Sequence, residues 1–113
     1  MPDNWHRWRD DDGAWIEARH WSLRWDVAVT TELPKVRDTR LARAVRQDLW
    51  RELRDLRGFR PAVRIAPEVD SVRLTVGGQV DCNYPKAKTE ARIAALLENP
   101  SNRARWVTWA GPA

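Results

Sequence analysis

The run DTRLARAVRQDLWRELRDLR, residues 38–57, decides how the rest of the chain is interpreted. Its large apolar residues recur every three or four positions, at Leu41, Val45, Leu49, Leu53 and Leu56. Such spacing places them on one stripe of an α-helix, and that stripe should face a core. Asp38 or Thr39 is suited to cap the helix, and Gly58 is suited to stop it. The run therefore predicts one long amphipathic helix.

The other side of this predicted helix collects arginines around a tryptophan. At about 100° per residue, one continuous arc holds Arg40, Arg43, Arg46, Arg51, Arg54 and Arg57, with Trp50 near its centre. The acidic residues Asp48, Glu52 and Asp55 fall on the remaining flank. A row of guanidiniums beside a ring that is suited to stacking is typical of nucleic-acid binding. The alternative is an ordinary charged face laced by ion pairs such as Arg51 with Asp55 or with Asp48.

A half-buried strand is predicted before the helix. From Leu23 to Leu33 the odd positions are mostly apolar and the even ones mostly polar or small, and this alternation is typical of a strand with one face in a core. Residues 15–21 continue the same parity, so the strand either begins earlier or pairs with a preceding one as a hairpin. Pro34 closes it.

A three-stranded meander is predicted after the helix. Residues 61–66 form a short strand, residues 67–70 have turn chemistry, and residues 72–76 form a second strand. Gly77 and Gly78 are a pair suited to a tight hairpin turn, after which Val80 and Cys82 continue as a third strand.

Two further segments follow. Residues 86–98 predict a second helix, which Pro100 ends. The tail is open between two interpretations: Trp106, Trp109 and Ala110 have helical spacing, with Ser101 as cap and Gly111 as stop, yet residues 106–110 equally suit an edge strand.

These elements predict an α+β two-layer sandwich, with an antiparallel sheet of four to five strands and two main helices on one face. If the tail is a strand, the arrangement becomes ferredoxin-like. The length of 113 residues favours one domain over residues 1–113, with residues 1–22 as a tryptophan-rich N-terminal extension.

The composition bears on the cellular compartment in which the protein is expected. Cys82 is the only cysteine, so no intramolecular disulfide is expected. The N-terminus is polar where a signal peptide would carry an apolar run, and no stretch approaches the roughly 20 apolar residues that span a bilayer. We therefore expect a cytoplasmic protein that does not enter membranes.

The composition is unusual in its many arginines and tryptophans. Lysine occurs only at Lys35, Lys86 and Lys88, so arginine supplies seventeen of the twenty basic side chains. Arginine pairs with phosphate or carboxylate and stacks on rings better than lysine does. Codon usage in a GC-rich genome is the alternative explanation. The net charge of +4 is modest, so the placement of charges matters more than their total.

No catalytic or metal site is predicted. His6 and His20 are the only histidines, and with the acidic run Asp10–Asp12 they show no recognised ligand spacing. Cys82 lies on the apolar parity of its predicted strand, so it is interpreted as a small core residue. The sequence therefore predicts no cofactor and no enzymatic activity.

A second basic cluster is predicted around the last helix, at Lys86, Lys88, Arg92, Arg103 and Arg105. From Val72 to Leu97, the hairpin with Gly77 and Gly78 followed by a helix opened by two lysines is partially similar to the double-stranded RNA-binding domain. That similarity covers under a quarter of the chain, and no residue role is carried over from it.

The remaining tryptophans divide into two groups. Trp15, Trp21 and Trp25 are predicted to cover one face of the sheet, whereas Trp5 and Trp8, near the terminus, are predicted to be exposed and able to dock a partner or a second copy.

The leading hypothesis is a non-enzymatic binding protein whose arginine and Trp50 face contacts nucleic acid or a nucleoprotein complex. The predicted binding residues are Arg40, Arg43, Arg46, Trp50, Arg51, Arg54, Arg57, Lys86, Lys88, Trp5 and Trp8. The alternative is a small protein-interaction module, such as a phage or mobile-element inhibitor of a bacterial defence complex (anti-CRISPR-like), anchored by the N-terminal tryptophans with Trp106 and Trp109. The oligomeric state is left open, with a homodimer as one expectation.

Overall fold

A computed structural model describes residues 5–113. Within that range the strands are β1 (His6–Arg9), β2 (Trp15–Ala18), β3 (Val27–Pro34), β4 (Phe59–Pro67) and β5 (Ser71–Val80). The helices are α1 (Asp38–Leu53), α2 (Lys86–Glu98) and α3 (Pro100–Ala110). The predicted α+β class is confirmed, with one more helix than expected. The additional helix is α3, formed by the C-terminal tail, so the tail is not a strand and the arrangement is not ferredoxin-like.

The sheet has the strand order β1-β2-β4-β5-β3, and every neighbouring pair is antiparallel. The long β4–β5 hairpin forms its centre, and β1 and β2 form a second hairpin at one edge. Residues 6–18 of the segment that was expected as an extension therefore supply two strands of the sheet. Residues 1–4 of that segment lie outside the described part of the chain.

The main core lies between the sheet and the helices. Strand residues such as Val63, Ile65, Leu74 and Val76 alternate toward this side and are at most 1% exposed. They pack in one cluster with the predicted apolar stripe of α1, and with Ile93, Leu97 and Trp106 from α2 and α3. Full burial of each large apolar side chain stabilises the fold by about 1.5–3 kcal/mol. The two-layer arrangement follows from this single apolar layer.

The opposite face of the sheet carries a smaller cluster. Ile16, Ala18 and Ala62 form it, and Trp8, Leu23 and Trp25 pack against it. The chain must cross β4 and β5 to pass from β2 to β3, and residues 19–26 do so over this face. Trp25 is partly buried there, but Trp21 is 62% exposed, so its prediction as a core residue is wrong.

Gly77 and Gly78 do not form a turn, because both lie inside β5. The hairpin turn is instead at residues 68–70, which the sequence had marked as turn chemistry. A Cβ atom on Gly77 would lie 1.9 Å from the carbonyl oxygen of Val27, and one on Gly78 would lie 2.1 Å from that of Arg60. The glycines are thus needed where the neighbouring strands approach β5 closely. Without the predicted hairpin, the partial similarity to the double-stranded RNA-binding domain has no structural basis.

Cys82 is exposed and lies beyond the end of β5, so its prediction as a core residue is wrong. β5 ends at Val80, so the strand parity that pointed Cys82 inward does not extend to it. Its Sγ donates a hydrogen bond of 2.8 Å to the carbonyl oxygen of Arg57.

The helix boundaries follow local signals with three differences. The N-cap of α1 is Arg37, with no side-chain cap, so the prediction of Asp38 or Thr39 as the cap is wrong. α1 ends at Leu53, four residues earlier than predicted, and Gly58 with its φ of 72° follows in the turn before β4. The cap of α3 is Asn99, whose side chain accepts a hydrogen bond from the backbone N–H of Asn102, and not Ser101. Gly111, with a φ of 75°, ends α3 as predicted.

The outer edge of β3 is covered by side chains. Glu90 accepts a hydrogen bond of 3.1 Å from the backbone N–H of Ala28. Arg103 donates one of 2.6 Å to the carbonyl oxygen of Glu32 and another to the Thr31 hydroxyl. Two backbone groups that would otherwise be free to pair with a further strand, the N–H of Ala28 and the carbonyl of Glu32, are therefore already bonded.

None of the helices within residues 5–113 is both long enough and apolar enough to cross a bilayer.

Candidate functional site

The outward side of α1 presents arginines and one indole. Leu41, Val45, Leu49 and Leu53 are fully buried beneath it. The exposed arginines are Arg40, Arg43, Arg51 and Arg54, and Trp50 among them is 47% exposed. We call these five residues the basic strip. At 1.5 Å per residue it extends for about 21 Å along the helix.

Three arginines of the basic strip, Arg40, Arg43 and Arg54, form no ion pair with any other residue in the part of the chain that the structure describes. The fourth, Arg51, lies 3.8 Å from Asp48, a pair too long for a strong hydrogen bond. Many arginines elsewhere are paired with carboxylates, for example Arg9 with Asp38, Arg24 with Asp26, Arg64 with Asp10 and Arg73 with Glu68. Arg40, Arg43 and Arg54 therefore place three unneutralised charges along one side of α1, while other unpaired cations, such as Arg57 and Lys86, lie elsewhere on the described surface.

The acidic flank of α1 is turned toward the other helices. Asp48 is buried and accepts hydrogen bonds of 2.7 Å from both Arg105 and the Trp106 indole N–H. At the other end of the flank, Arg92 of α2 donates to Asp55 at 3.1 Å. That hydrogen bond, with a backbone N–H, holds the pKa of Asp55 below its ordinary value. These acids therefore hold the helices together and leave Arg40, Arg43 and Arg54 of the basic strip without a carboxylate partner among the described residues.

Arg46 was predicted on the exposed arc, and this prediction is wrong. Its side chain is only 8% exposed, and its Nε lies 3.0 Å from Oε1 of Glu17, a buried residue of β2. Arg46 borders the apolar stripe, so β2 covers it when α1 packs on the sheet. Its guanidinium also lies 4.8 Å from the ring centroid of Trp5. Arg46 therefore lies beneath the exposed surface, where it contacts Glu17 and the ring of Trp5.

Beside the basic strip is a cleft of about 380 Å³ that we call the indole cleft. Its lining residues are Trp5, Arg19, Arg46, Gln47, Trp50 and Arg51. Cation–π contacts hold both rings, since Arg54 lies 5.9 Å from the Trp50 ring and Arg19 lies 5.8 Å from the Trp5 ring. Trp5, which was predicted to be exposed, is partly buried.

A second cleft, of about 450 Å³, lies near the N-terminal half of α1, and we call it the arginine cleft. Its lining residues are Arg7, Trp15, Glu17, Thr39, Arg40, Arg43 and Trp109. Trp109 is 60% exposed. Arg7 and Arg19 were missed by sequence reasoning because only the folded β1–β2 hairpin brings them beside α1, and Gln47 of α1 was missed because it is neither basic nor aromatic.

Other predicted binding residues lie apart from the basic strip. Arg57 is exposed but follows the end of α1. Lys86 and Lys88 are exposed at the start of α2, the helix whose Arg92 meets the acidic flank of α1. Trp8 is partly buried on the other face of the sheet, where its ring centroid lies 5.4 Å from that of Trp21.

The second basic cluster is mostly engaged in internal contacts. Arg92 bonds to Asp55, Arg103 to the edge of β3, and Arg105 to Asp48. Trp106, predicted as an anchor for a protein partner, is fully buried. Within the described residues, Lys86 and Lys88 are the members of that cluster that have no such internal contact.

The chemistry that the site offers is binding of anions and of flat rings. Exposed guanidiniums suit phosphate groups, and exposed indoles suit stacking. Within residues 5–113, no three His, Cys, Asp or Glu side chains are grouped so as to hold a metal ion.

Fold and site together define a small α+β protein with a basic, indole-lined surface on one helix. No protein-family model, no curated protein and no solved structure matches the chain.

Proposed function

We propose that this chain is a non-enzymatic nucleic-acid-binding protein that contacts the phosphate backbone, free or within a nucleoprotein complex, through the basic strip. One observation carries the proposal: exposed arginines are aligned on a single helix face while the acids of that helix are used internally. Each guanidinium that neutralises a phosphate releases a counterion, and this release drives binding.

The arrangement favours binding because little must be broken first. An arginine already paired with a carboxylate must lose that partner, whereas Arg40, Arg43 and Arg54 have no such partner among the described residues. Arginine also suits phosphate through its planar fork, which donates two hydrogen bonds at once. The helix therefore offers up to four phosphate contacts, counting Arg51.

A salt titration tests the proposal. We expect the affinity for a mixed-sequence oligonucleotide to fall with ionic strength, with a logarithmic slope of about −3 to −4 for four contacts. The double variant Arg43→Glu with Arg54→Glu should abolish binding at physiological salt, as measured by fluorescence anisotropy.

The double variant Lys86→Glu with Lys88→Glu is the matched control, because it changes the net charge by the same amount at a place away from α1. We expect it to retain most of the affinity and most of the salt slope. Equal losses in the two double variants would show that only net charge matters and would overturn the basic strip as the site. An affinity independent of salt would overturn the function itself.

A protein-interaction module is the second candidate function, and the exposure of Trp21 favours it. This ring lies on the other face of the sheet, 4.3 Å from the ring of His6, with 62% of the residue exposed. Large exposed aromatics are typical anchors of protein interfaces. A protein partner that stays bound after nuclease treatment and is lost in Trp21→Ala would support this candidate.

A further inference from the structure

We infer that the nucleic acid bound by this protein is single-stranded, and that one unpaired base enters the indole cleft and stacks on Trp50. This inference rests on the proposed function, since it names the form of nucleic acid that the same surface takes.

The position of α1 argues against reading of a duplex. A helix that reads double-stranded DNA must enter the major groove, which is about 12 Å wide and admits little more than the helix itself. α1 does not protrude in this way. Trp5 shares the indole cleft with it on the side of β1, and Trp109 shares the arginine cleft with it on the side of α3. Trp50 and Arg51 of the basic strip line one cleft and Arg40 and Arg43 line the other, so a flexible single strand follows this surface more closely than a rigid duplex does.

The indole cleft has the size and lining that a base requires. Its volume of about 380 Å³ lies within the range of about 300–1,000 Å³ for small-molecule sites. Two indoles line it together with the side chains of Arg19, Arg46 and Arg51. Rings give stacking surface for any base, and guanidiniums attract the attached phosphate, which is the combination found in proteins that bind single strands.

The rings of the cleft are supported before a ligand arrives. Arg54 lies against Trp50, while Arg46 lies against Trp5 and is itself held by the buried carboxylate of Glu17. A supported ring loses little conformational freedom on binding, so more of the stacking energy appears as affinity. Glu17 and Arg46 are positioning residues in this scheme.

The basic strip also predicts the path of the bound nucleic acid along α1. From Trp50 to Arg43 is seven residues, or about 10 Å along the helix, and Arg40 lies about one turn beyond. A strand whose base occupies the indole cleft is thus able to run along α1 toward the arginine cleft with its phosphates against these guanidiniums.

The experiment compares one labelled single strand, a short oligothymidine, with a blunt duplex of the same length by fluorescence anisotropy at fixed salt. We expect the wild-type protein to prefer the single strand. Trp50→Ala should weaken single-strand binding by about 5- to 150-fold, the loss measured for one stacked base. Trp50→Phe should restore part of it, because a phenyl ring still stacks.

Trp21→Ala is the matched control, because it removes an indole that is at least as exposed as Trp50 from the other face of the sheet. It should change single-strand affinity by less than about twofold. Circular dichroism and thermal melting verify that each variant is folded, which is expected since neither ring lies in the core.

A series of single strands, each with one abasic site at a different position, identifies the base that stacks on Trp50. Wild-type protein should lose affinity at one position, and Trp50→Ala should show no further loss there. If Trp50→Ala binds the single strand as tightly as wild type, the inference is overturned. If duplex binds more tightly and still depends on Arg43 and Arg54, this inference fails while the proposed function stands. If neither form binds, the proposed function fails as well.

Discussion

At the scale of single residues, the arginines of α1 divide into two roles that their shared residue type conceals. Arg43 lies exposed on the basic strip, whereas Arg46, three residues on, is buried against Glu17. The sequence placed both on one arc, and its error at Arg46 has a physical reason. The partner that buries Arg46 is 29 positions away on β2, and helical periodicity carries no information about which strand will cover a border position.

Arg46→Ala should destabilise the protein by about 3 kcal/mol, because removing one partner of a buried ion pair leaves the other charge poorly compensated. Arg43→Ala is the matched comparison on the same helix and should cost less than about 0.5 kcal/mol, since its side chain is exposed. Urea denaturation followed by circular dichroism measures both values. Equal stabilities for the two variants would mean that the Glu17–Arg46 pair contributes nothing to folding.

At the scale of elements, what the sequence predicted well was local. The leucine spacing of α1, the bounds of α2 and the stop at Gly111 depend on contacts within one or two turns, and the structure has all three. The interpretation of Gly77 and Gly78 failed because their constraint comes from neighbouring strands. A glycine that turns the chain and a glycine that admits a close neighbour look the same in a single sequence.

The junction of α2 and α3 provides a prediction at this scale. Asn99→Ala should destabilise the protein by about 0.5–2 kcal/mol, because Asn99 is the residue whose side chain caps α3. Ser101→Ala, at the position that the sequence suggested as the cap, should cost almost nothing because Ser101 is exposed and inside the helix. Thermal melting of both variants distinguishes the two positions, and a larger loss for Ser101→Ala would contradict the capping role of Asn99.

At the scale of the whole molecule, the sheet order is the part that no local pattern contained. The sequence indicated strands, helices and an antiparallel sandwich, but not that β1 and β2 add beside β4 while β3 pairs with β5. The basic strip was predicted because it lies within one helix. The two clefts were not predicted, because each also needs residues from outside α1: Trp5 and Arg19, which flank the β1–β2 hairpin, in one, and residues of β1, β2 and α3 in the other.

The lowered pKa values of two aspartates, Asp26 and Asp81, predict how the molecule responds to acid. A hydrogen bond from Arg24 lowers the pKa of Asp26, and one from Gln79, helped by Arg60 and Arg24, lowers the pKa of Asp81. Because folding favours the charged carboxylates, this stabilisation is present above their ordinary pKa of 3.8 and is lost as the pH falls through the lower folded values.

We therefore expect the melting temperature to fall on acidification below about pH 4. Asp26→Asn removes one of the titrating groups, so its melting temperature should be lower at neutral pH and should change less on acidification than that of the wild-type protein. A melting temperature that stays constant between neutral pH and about pH 2 would contradict the prediction.

The covered edge of β3 has a consequence for self-association. Folded molecules that add edge to edge into a fibril need two free sheet margins each, one to pair with the molecule before and one to pair with the molecule after. Glu90 and Arg103 engage two backbone groups of one of those margins here. Copies that meet through β1 alone would close as a symmetric pair and stop, so runaway polymerisation of the folded protein is disfavoured by its architecture.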